Sequence, residues 1–364
     1  MGMNTLGMNM LLSWRDRLLS DSGFQRWSAR FALTRKVARR EARALFDICA
    51  GFTYSQVLAA CIELDLFNRV AVSPTRLEAL ALFCEVPEPP MRMLVDAAVS
   101  LRLLKLRNGS VRLGALGAAL RGNPGIAAMV AHHRLFYADI ADPVALLRGE
   151  VETRLSGFWP YRGGAGEAAA YSALMAATQP MIASEILDGY DFSRHQVILD
   201  IGGGDGSFLR QVGLKVPTAN LQLFDLPEVA AMAMGRFAQA GLQARASVFG
   251  GDFTMDKLPQ GASLVTLVRV LHDHDDDKVL HLLRAIRQAL PPGGVLLIAE
   301  PFAGTPGAQP VGAAYFGFYL QAMGSGRARR TDEIEELLVQ AGFSRRRQIQ
   351  TGQPMLTGLI TASV

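Results

Sequence analysis

Three scarcities bound this chain before any motif is considered. Cysteine occurs three times in 364 residues, at Cys49, Cys61 and Cys84. An odd, scattered set without metal-ligand spacing excludes a disulfide framework and a cysteine-based zinc site, and it predicts reduced core thiols in a cytoplasmic protein. No uninterrupted apolar run approaches the ~20 residues of a membrane helix. The opening "MGMNTLGMNMLLSWRDRLLS" lacks a basic stretch before its short apolar run and lacks a small-residue cleavage site, so no secretory leader is expected. Charged residues make up 19% and aromatics 8%, against 50% hydrophobic, which excludes a disordered chain and supplies ample material for cores. At this length two domains are the default.

The net charge of +4 is unevenly placed, because residues 1–45 hold nine Arg/Lys against three acids. Trp14, Leu18, Phe24, Trp27 and Phe31 fall among these charges at roughly helical spacing. Two readings stay open: an interfacial helix on anionic lipid, or a solvated or dimer-packing helix.

From about 41 to 150 the chain reads as helices with one interruption. "ARALFDICAGFTYSQVLAACIELDLFNRV" and "EPPMRMLVDAAVSLRLL" carry apolar residues at helical spacing. In "SPTRLEALALFCEV", Ser73 and Pro74 are expected at the cap and first turn of a further helix. "LLKLRNGSVRLG" sets Asn108-Gly109 between two short alternating runs, a type I′ hairpin signal. Three helices and a hairpin form a winged-helix pattern. A DNA reader needs a basic face; residues 88–102 carry Glu88, Arg92, Asp96 and Arg102 among apolar neighbours, so nucleic acid is not the expected partner.

After "FWPYRGG" and an Ala/Met-rich helix over 165–188, strands and helices alternate. "QVILDI", "LQLFDL", "ARASVFGGDF", "SLVTLVRVL" and "GVLLIAE" are five strands in the rhythm of a doubly wound parallel sheet. Two final strands joined directly by a turn are expected to add an antiparallel edge. The first strand runs into "GGGDGSFLRQV", a glycine loop opening a helix. Asp200 and Asp205 beside that helix N-terminus would repel a pyrophosphate and attract a sulfonium and an ammonium, the charges of S-adenosylmethionine (SAM). Asp225 closes the second strand, where an acid can hold ribose hydroxyls, and Asp252-Phe253 closes the third, where both can border an adenine.

"VRVLHDHDDDKVL" places two histidines and four aspartates in six positions. A metal site would use His272, His274 and an aspartate, but no second cluster is evident. His132-His133 is the only other histidine pair and belongs to the helical half, while His195 and His281 read as structural or exposed. Asp275, Asp276 and Asp277 suit the first turn of the following helix. His272 follows the fourth strand at the edge where ligands bind in such sheets. It suits a general base for a neutral alcohol.

"VILDIGGGDGSFL", "FDLPEV", "GGDF" and "VRVLHDHDDDKV", in this order and spacing, resemble the metal-independent, caffeate-type O-methyltransferases, with the likeness running over roughly residues 45–364. That resemblance implies a Rossmann-like SAM-dependent methyltransferase domain over 158–364. It would be preceded by a mainly helical winged-helix dimerisation domain over 41–157 and by the basic segment 1–40, with a homodimer formed through the N-terminal domain. It carries SAM contacts to Gly202, Asp225, Asp252 and Phe253, and to Arg269 beside Val268, with His272 as base and Glu300 in "IAEP" as a flanking carboxylate. A second flanking carboxylate of the family falls on Arg329 in "GRARRT", a departure. "GNPGIAAMVAHHRLFYADIADPVALLRG" and "RLSGFWPY" are similar to the carotenoid-pathway branch. That branch implies a tertiary 1-hydroxyl of an acyclic hydroxycarotenoid as acceptor, held among Met175, Met181, Phe316, Tyr319, Leu320 and Met323, with Phe158 and Trp159. A phenolic, polyketide or tetrapyrrole acceptor, methylated on oxygen or carbon, stays open, as does a non-catalytic SAM-binding or winged-helix regulator.

Overall fold

The structure is a computed structural model that describes residues 3–158 and 165–364, with side chains placed for 12–157 and 174–364. The chain divides into two compact units, Met1–Arg121 and Gly122–Val364.

The first unit opens with α1 (Met3–Ser20), α2 (Ser22–Ser28) and α3 (Arg35–Glu63). The aromatic, basic N-terminus is therefore not one helix. It breaks at Asp21, whose carboxylate accepts the Phe24 N–H at 2.6 Å and caps α2. α3 is long and apolar enough to cross a membrane by length and composition, with a mean hydropathy of 1.5 over its apolar window. Asp47 and the polar run Tyr54–Gln56 interrupt it, so α3 holds no uninterrupted apolar run of that length. The C-terminal part of α3 packs into this unit, with Cys61 buried and Val57, Leu58 and Ile62 beside it. Cys49 is exposed, so it is no core thiol, and all three cysteines are free.

α4 (Leu66–Val72), α5 (Leu77–Phe83), α6 (Glu88–Ser100) and α7 (Ala115–Arg121) complete the helices of this unit. The predicted hairpin is present as β2 (Leu104–Arg107) and β3 (Ser110–Leu113), with Asn108 and Gly109 both at positive φ. A type I′ turn requires that conformation at both central residues. Ser73 and Pro74 do not cap a helix. Thr75–Arg76 pairs with β3 as a short strand, β1, and α5 begins only at Leu77.

The second unit begins with α8 (Pro124–Asp139), α9 (Pro143–Arg148), α10 (Arg154–Phe158) and α11 (Ala165–Gly189). The boundary between units thus lies at 121/122 rather than near 157. α8 packs along α11, and Phe136 on α8 shares a buried cluster with Leu155, Tyr319 and Leu320. Then β4 (Val197–Ile201), α12 (Ser207–Lys215), β5 (Asn220–Asp225), α13 (Pro227–Gln239), β6 (Ala246–Gly250), β7 (Leu264–Val268), α14 (Asp276–Ala289) and β8 (Val295–Glu300) alternate. α15 (Phe316–Met323) and α16 (Thr331–Gln340) precede the terminal strands β9 (Ser344–Ile349) and β10 (Gly358–Ser363).

The strands form one sheet in the order β6-β5-β4-β7-β8-β10-β9. β4 through β8 pair in parallel, and β10 enters antiparallel between β8 and β9. Residues 350–357 separate β9 from β10, a longer connection than the direct turn expected. Alternate residues of each central strand enter opposite cores. Leu199, Ile201, Val265 and Leu267 face the cluster with α14 and α16, while Ile198, Leu264 and Leu297 face the one with Ile186, Phe208 and Phe237. Both faces are covered, which is why these strands read as continuous apolar runs. α14 buries Val279, Leu282, Leu283, Ile286 and Ala289, and each fully buried leucine or isoleucine contributes about 1.5–3 kcal/mol. The chain leaves β4 toward β5 on one side and β7 lies on the other, so the switch point falls between β4 and β7. Ligands bind outside the carboxyl ends at such a point.

Candidate active site

The loop after β4 is shaped by three glycines at positive φ, Gly202, Gly204 and Gly206. A Cβ on Gly203 would stand 2.8 Å from the Asp200 carboxylate, so the loop closes directly over that buried acid. Asp200 accepts the Thr266 hydroxyl at 2.6 Å, and burial pushes its carboxyl up to about 7. Asp205 accepts the Ser207 N–H at 3.0 Å and is ion-paired with Arg236. The loop is therefore less anionic than the sequence suggests: one acid is neutralised by an arginine and the other lies beneath the loop. The case against a pyrophosphate weakens accordingly.

Asp225, at the end of β5, accepts the Gly204 N–H at 2.7 Å and the Leu226 N–H at 2.7 Å, so it ties the glycine loop to the neighbouring strand. Burial raises its pKa, against the lowering effect of those two donors. Gly202 and Asp225 line two adjoining cavities. The larger, of about 290 Å³, also meets Asp252, Phe253, His274 and Lys278. The Phe253 and His274 rings stand edge to face at 5.2 Å. The Asp252 carboxylate accepts the Thr254 N–H and hydroxyl at 2.8 and 2.7 Å, stiffening the turn that presents Phe253. Gly202, Asp225, Asp252 and Phe253 are thus brought together, and they suit a nucleoside: an acid for ribose hydroxyls and an aromatic for the base.

Arg269 follows β7 in the left-handed region, at φ 58°, a strained conformation for a residue with a Cβ. Its guanidinium donates to Thr178 Oγ1 at 3.0 Å and to Met175 Sδ at 2.6 Å. It borders both the glycine-loop cavity and a third, apolar cavity of about 280 Å³.

That third cavity meets Met175, Met181, Phe316, Tyr319 and His272. Leu320 and Met323 are elsewhere, packed with Phe136, Leu146 and Leu155 on the buried side of α15. Phe158 and Trp159 have side chains outside the described residues. The sequence reading missed His132 and His133, which belong to the second unit. His132 Nε2 lies 2.8 Å from the Tyr319 hydroxyl and His133 Nε2 lies 2.9 Å from that of Tyr315. Burial, with a contribution from His133, lowers the His132 pKa to about 4, so it is a neutral ring, and burial pushes Tyr315 up to about 12. Tyr315 and Tyr319, four residues apart in sequence, were the available signal, since such spacing aligns them on one helix face.

His272 sits on a 3₁₀ turn, Leu271–Asp273, directly after β7. Glu300, at the end of β8, accepts the Val270 and Leu271 N–H groups at 2.9 and 2.7 Å and pairs with His272 Nδ1. Asp273 Oδ1 lies 3.0 Å from His272 Nε2. Burial alone would lower the imidazole pKa, but Asp273 and Glu300 together outweigh it and raise it to about 10. Arg329, where the resemblance places a second carboxylate, is buried and turned to the backbone. It donates to Leu271 O at 2.6 Å and His274 O at 2.7 Å, and its charge is met by Asp276. Asp275 caps no N–H of α14; it accepts the Gly326 N–H at 3.1 Å instead. Among the described residues no group of three or more His, Cys, Asp or Glu is gathered to hold a metal.

The site therefore joins a nucleoside cleft to an apolar chamber, with buried acid–base groups at their junction. An O-methyltransferase domain family matches residues 137–344. The chain belongs to this O-methyltransferase family. It is 42% identical over 371 residues to demethylspheroidene O-methyltransferase of Cereibacter sphaeroides, covering 100% of this chain and 95% of that protein. The namesake of Rhodobacter capsulatus is 43% identical over 341 residues, covering 92% and 85%. Among solved structures, human N-acetylserotonin methyltransferase in complex with SAM superposes with a TM-score of 0.74 at 27% identity, covering 89% of this chain and 97% of that one. The protein is a SAM-dependent O-methyltransferase, and its cleft residues fit that methyl donor.

Proposed function

We propose that the protein methylates the tertiary 1-hydroxyl of an acyclic hydroxylated carotenoid in carotenoid biosynthesis, with His272 as the general base at the centre of a buried Glu300–His272–Asp273 cluster. The observation that carries the acceptor class is the likeness, above 40% over nearly the whole chain, to two demethylspheroidene O-methyltransferases. The apolar chamber beside His272 supports it, because flexible methionines and aromatic rings suit a polyene end. Bound SAM supplies a methyl group on a positively charged sulfur. The protein's part is to align the acceptor oxygen, exclude water and take the hydroxyl proton.

The test is methyl transfer from labelled SAM to detergent-dispersed 1-hydroxycarotenoids, with EDTA present, for the wild type and His272→Ala. Transfer that survives EDTA and falls at least a hundredfold in the variant supports the reading. Transfer to phenols alone would replace the acceptor, and loss only with EDTA would reinstate a metal.

Two surfaces of the first unit extend this proposal. α3 exposes Leu45, Phe46, Ile48 and Phe52, an apolar face suited to a second copy of the chain in a homodimer. Trp14, Trp27, Phe31 and Leu33 are exposed among the arginines of 15–40, and the Trp27 and Phe31 rings stack at 4.9 Å. Two copies would bring like charges together here, so an anionic bilayer surface is the better occupant. On that reading the enzyme lies in the cytoplasm against the membrane that holds its substrate. Removing residues 1–40 should then abolish flotation with anionic vesicles while leaving SAM affinity intact. Equal flotation of both forms would remove membrane contact from the proposal.

A further inference from the structure

The apolar chamber beside His272 has a volume of about 280 Å³. Pockets that enclose a drug-sized ligand span ~300–1,000 Å³, so this one takes the hydroxyl-bearing end of a carotenoid and leaves most of the chain outside. That chain must leave where the wall is open. Among the described residues that line the chamber, Met355 alone is exposed, at 52%, and the others are buried or half-buried. Met355 and its neighbour Leu356 belong to the β9–β10 connection, residues 350–357.

Hydrogen bonds hold this loop at its base and its tip. The Thr351 hydroxyl donates to Thr357 O at 2.6 Å and closes the base. The Leu356 N–H donates to Gln353 O at 2.9 Å, forming the turn at the tip. The Gln353 N–H donates to Glu185 Oε2 at 2.9 Å. Glu185 follows Thr178 and Met181 of the chamber wall on α11 at helical spacing, so it stands one turn beyond them on the same face. Its carboxylate thus fixes the loop tip at the chamber's edge. On the loop's other side, Pro354 meets a second cavity, of about 540 Å³, together with Gln350 and Thr351. The loop is a thin wall between two cavities, and its tip owes its position to Glu185.

We infer that Met355 and Leu356 are specificity-determining residues that form the mouth of the acceptor chamber, with Glu185 as the positioning residue that holds them there. This deepens the carotenoid reading of the site and rests on it. The hydroxyl end passes inward to His272, and the remaining polyene crosses Met355. An unbranched, flexible thioether adapts to the surface of a rod-like hydrocarbon, and a loop set on a rigid scaffold is a suitable place for such selection. A short alcohol that fits wholly inside never meets the rim. The rim therefore discriminates by chain length.

The experiment compares a 1-hydroxycarotenoid with a truncated tertiary alcohol that keeps the hydroxyl end, for kcat, KM and SAM Kd. If the truncated alcohol binds without turning over, its inhibition constant against the carotenoid serves as its affinity. Met355→Trp crowds the mouth, so the preference for the long over the short acceptor should fall about tenfold, with SAM Kd within about threefold. Glu185→Ala should raise KM for the long acceptor about fivefold and change KM more than kcat, because a loose rim must be ordered on binding. Glu185→Gln keeps an oxygen that accepts the Gln353 N–H, and it should restore the wild-type KM. An unmoved long-to-short preference in Met355→Trp overturns the inference, as does equal KM in the Glu185→Ala and Glu185→Gln forms. A wild type inert toward hydroxycarotenoids brings down the acceptor reading and the rim with it; an active wild type with that preference unmoved by Met355→Trp removes the rim alone.

Discussion

Glu300→Gln separates the structural work of the buried cluster from its chemistry. The amide keeps the shape, so its oxygen can still accept from Val270 and Leu271, the contacts now made at 2.9 and 2.7 Å. Its NH₂ then faces His272 Nδ1, where donor would meet donor. The ring must give up its Nδ1 proton, and the imidazolium held between two carboxylates is lost. Two bonds to a charged acceptor become neutral, at about 1 kcal/mol each, and the buried ion pair disappears. A loss of about 3 kcal/mol follows, on the order of 10 °C in Tm for a unit of this size. The pH dependence has a fixed sign. His272 titrates near 10 in the fold against 6.5 for the free side chain. The stabilisation is therefore complete below about 6.5 and lost as pH rises through about 10. Urea unfolding of both forms at pH 6.5, 8 and 10 reads this directly. The gap should be widest at pH 6.5 and shrink toward pH 10, and contributions from other groups cancel in the difference. A gap that is constant or widens with pH would refute the charged-pair account. Activity should fall with it by about 10²–10⁴-fold, the range expected when an orienting carboxylate becomes an amide and the ring adopts the wrong tautomer.

Asp225→Ala removes the acceptor for Gly204 and Leu226 and any ribose contact, so SAM Kd by calorimetry should rise about a hundredfold; an unchanged Kd would move the ribose site elsewhere. Gly326→Ala combines positive φ with a Cβ 2.1 Å from His272 O, and should cut kcat at least tenfold while SAM affinity holds; wild-type kcat would show that the loop is free to shift. Met181→Trp fills part of the apolar chamber, so KM for a long acceptor should rise about tenfold with SAM Kd unchanged; equal KM would place the acceptor outside that chamber.

Much of the second unit was legible because its signals are local. An apolar strand covered on both faces, a glycine loop and an acid at each strand end are set by residues within a few positions of one another, and Gly202, Asp225, Asp252 and Phe253 gather as their spacing suggests. What sequence concealed is set by partners far along the chain. Nothing near Asp205 announces that Arg236 neutralises it, and nothing near His132 announces Tyr319, 187 residues away. Leu320 and Met323 look the same in sequence as Phe316 and Tyr319, and the turn of α15 alone decides which meet the chamber. Arg329 is the most instructive case. In sequence it reads as a missing carboxylate, a defect in a known catalytic pattern. In the fold its guanidinium holds the Leu271 and His274 carbonyls, while His272 is flanked by Glu300 and by Asp273 of its own turn. An imidazole can be flanked by two carboxylates from any pair of positions the backbone brings within about 3 Å. Loss of one acid in the pattern therefore says little about the chemistry until the groups that do flank the imidazole have been located.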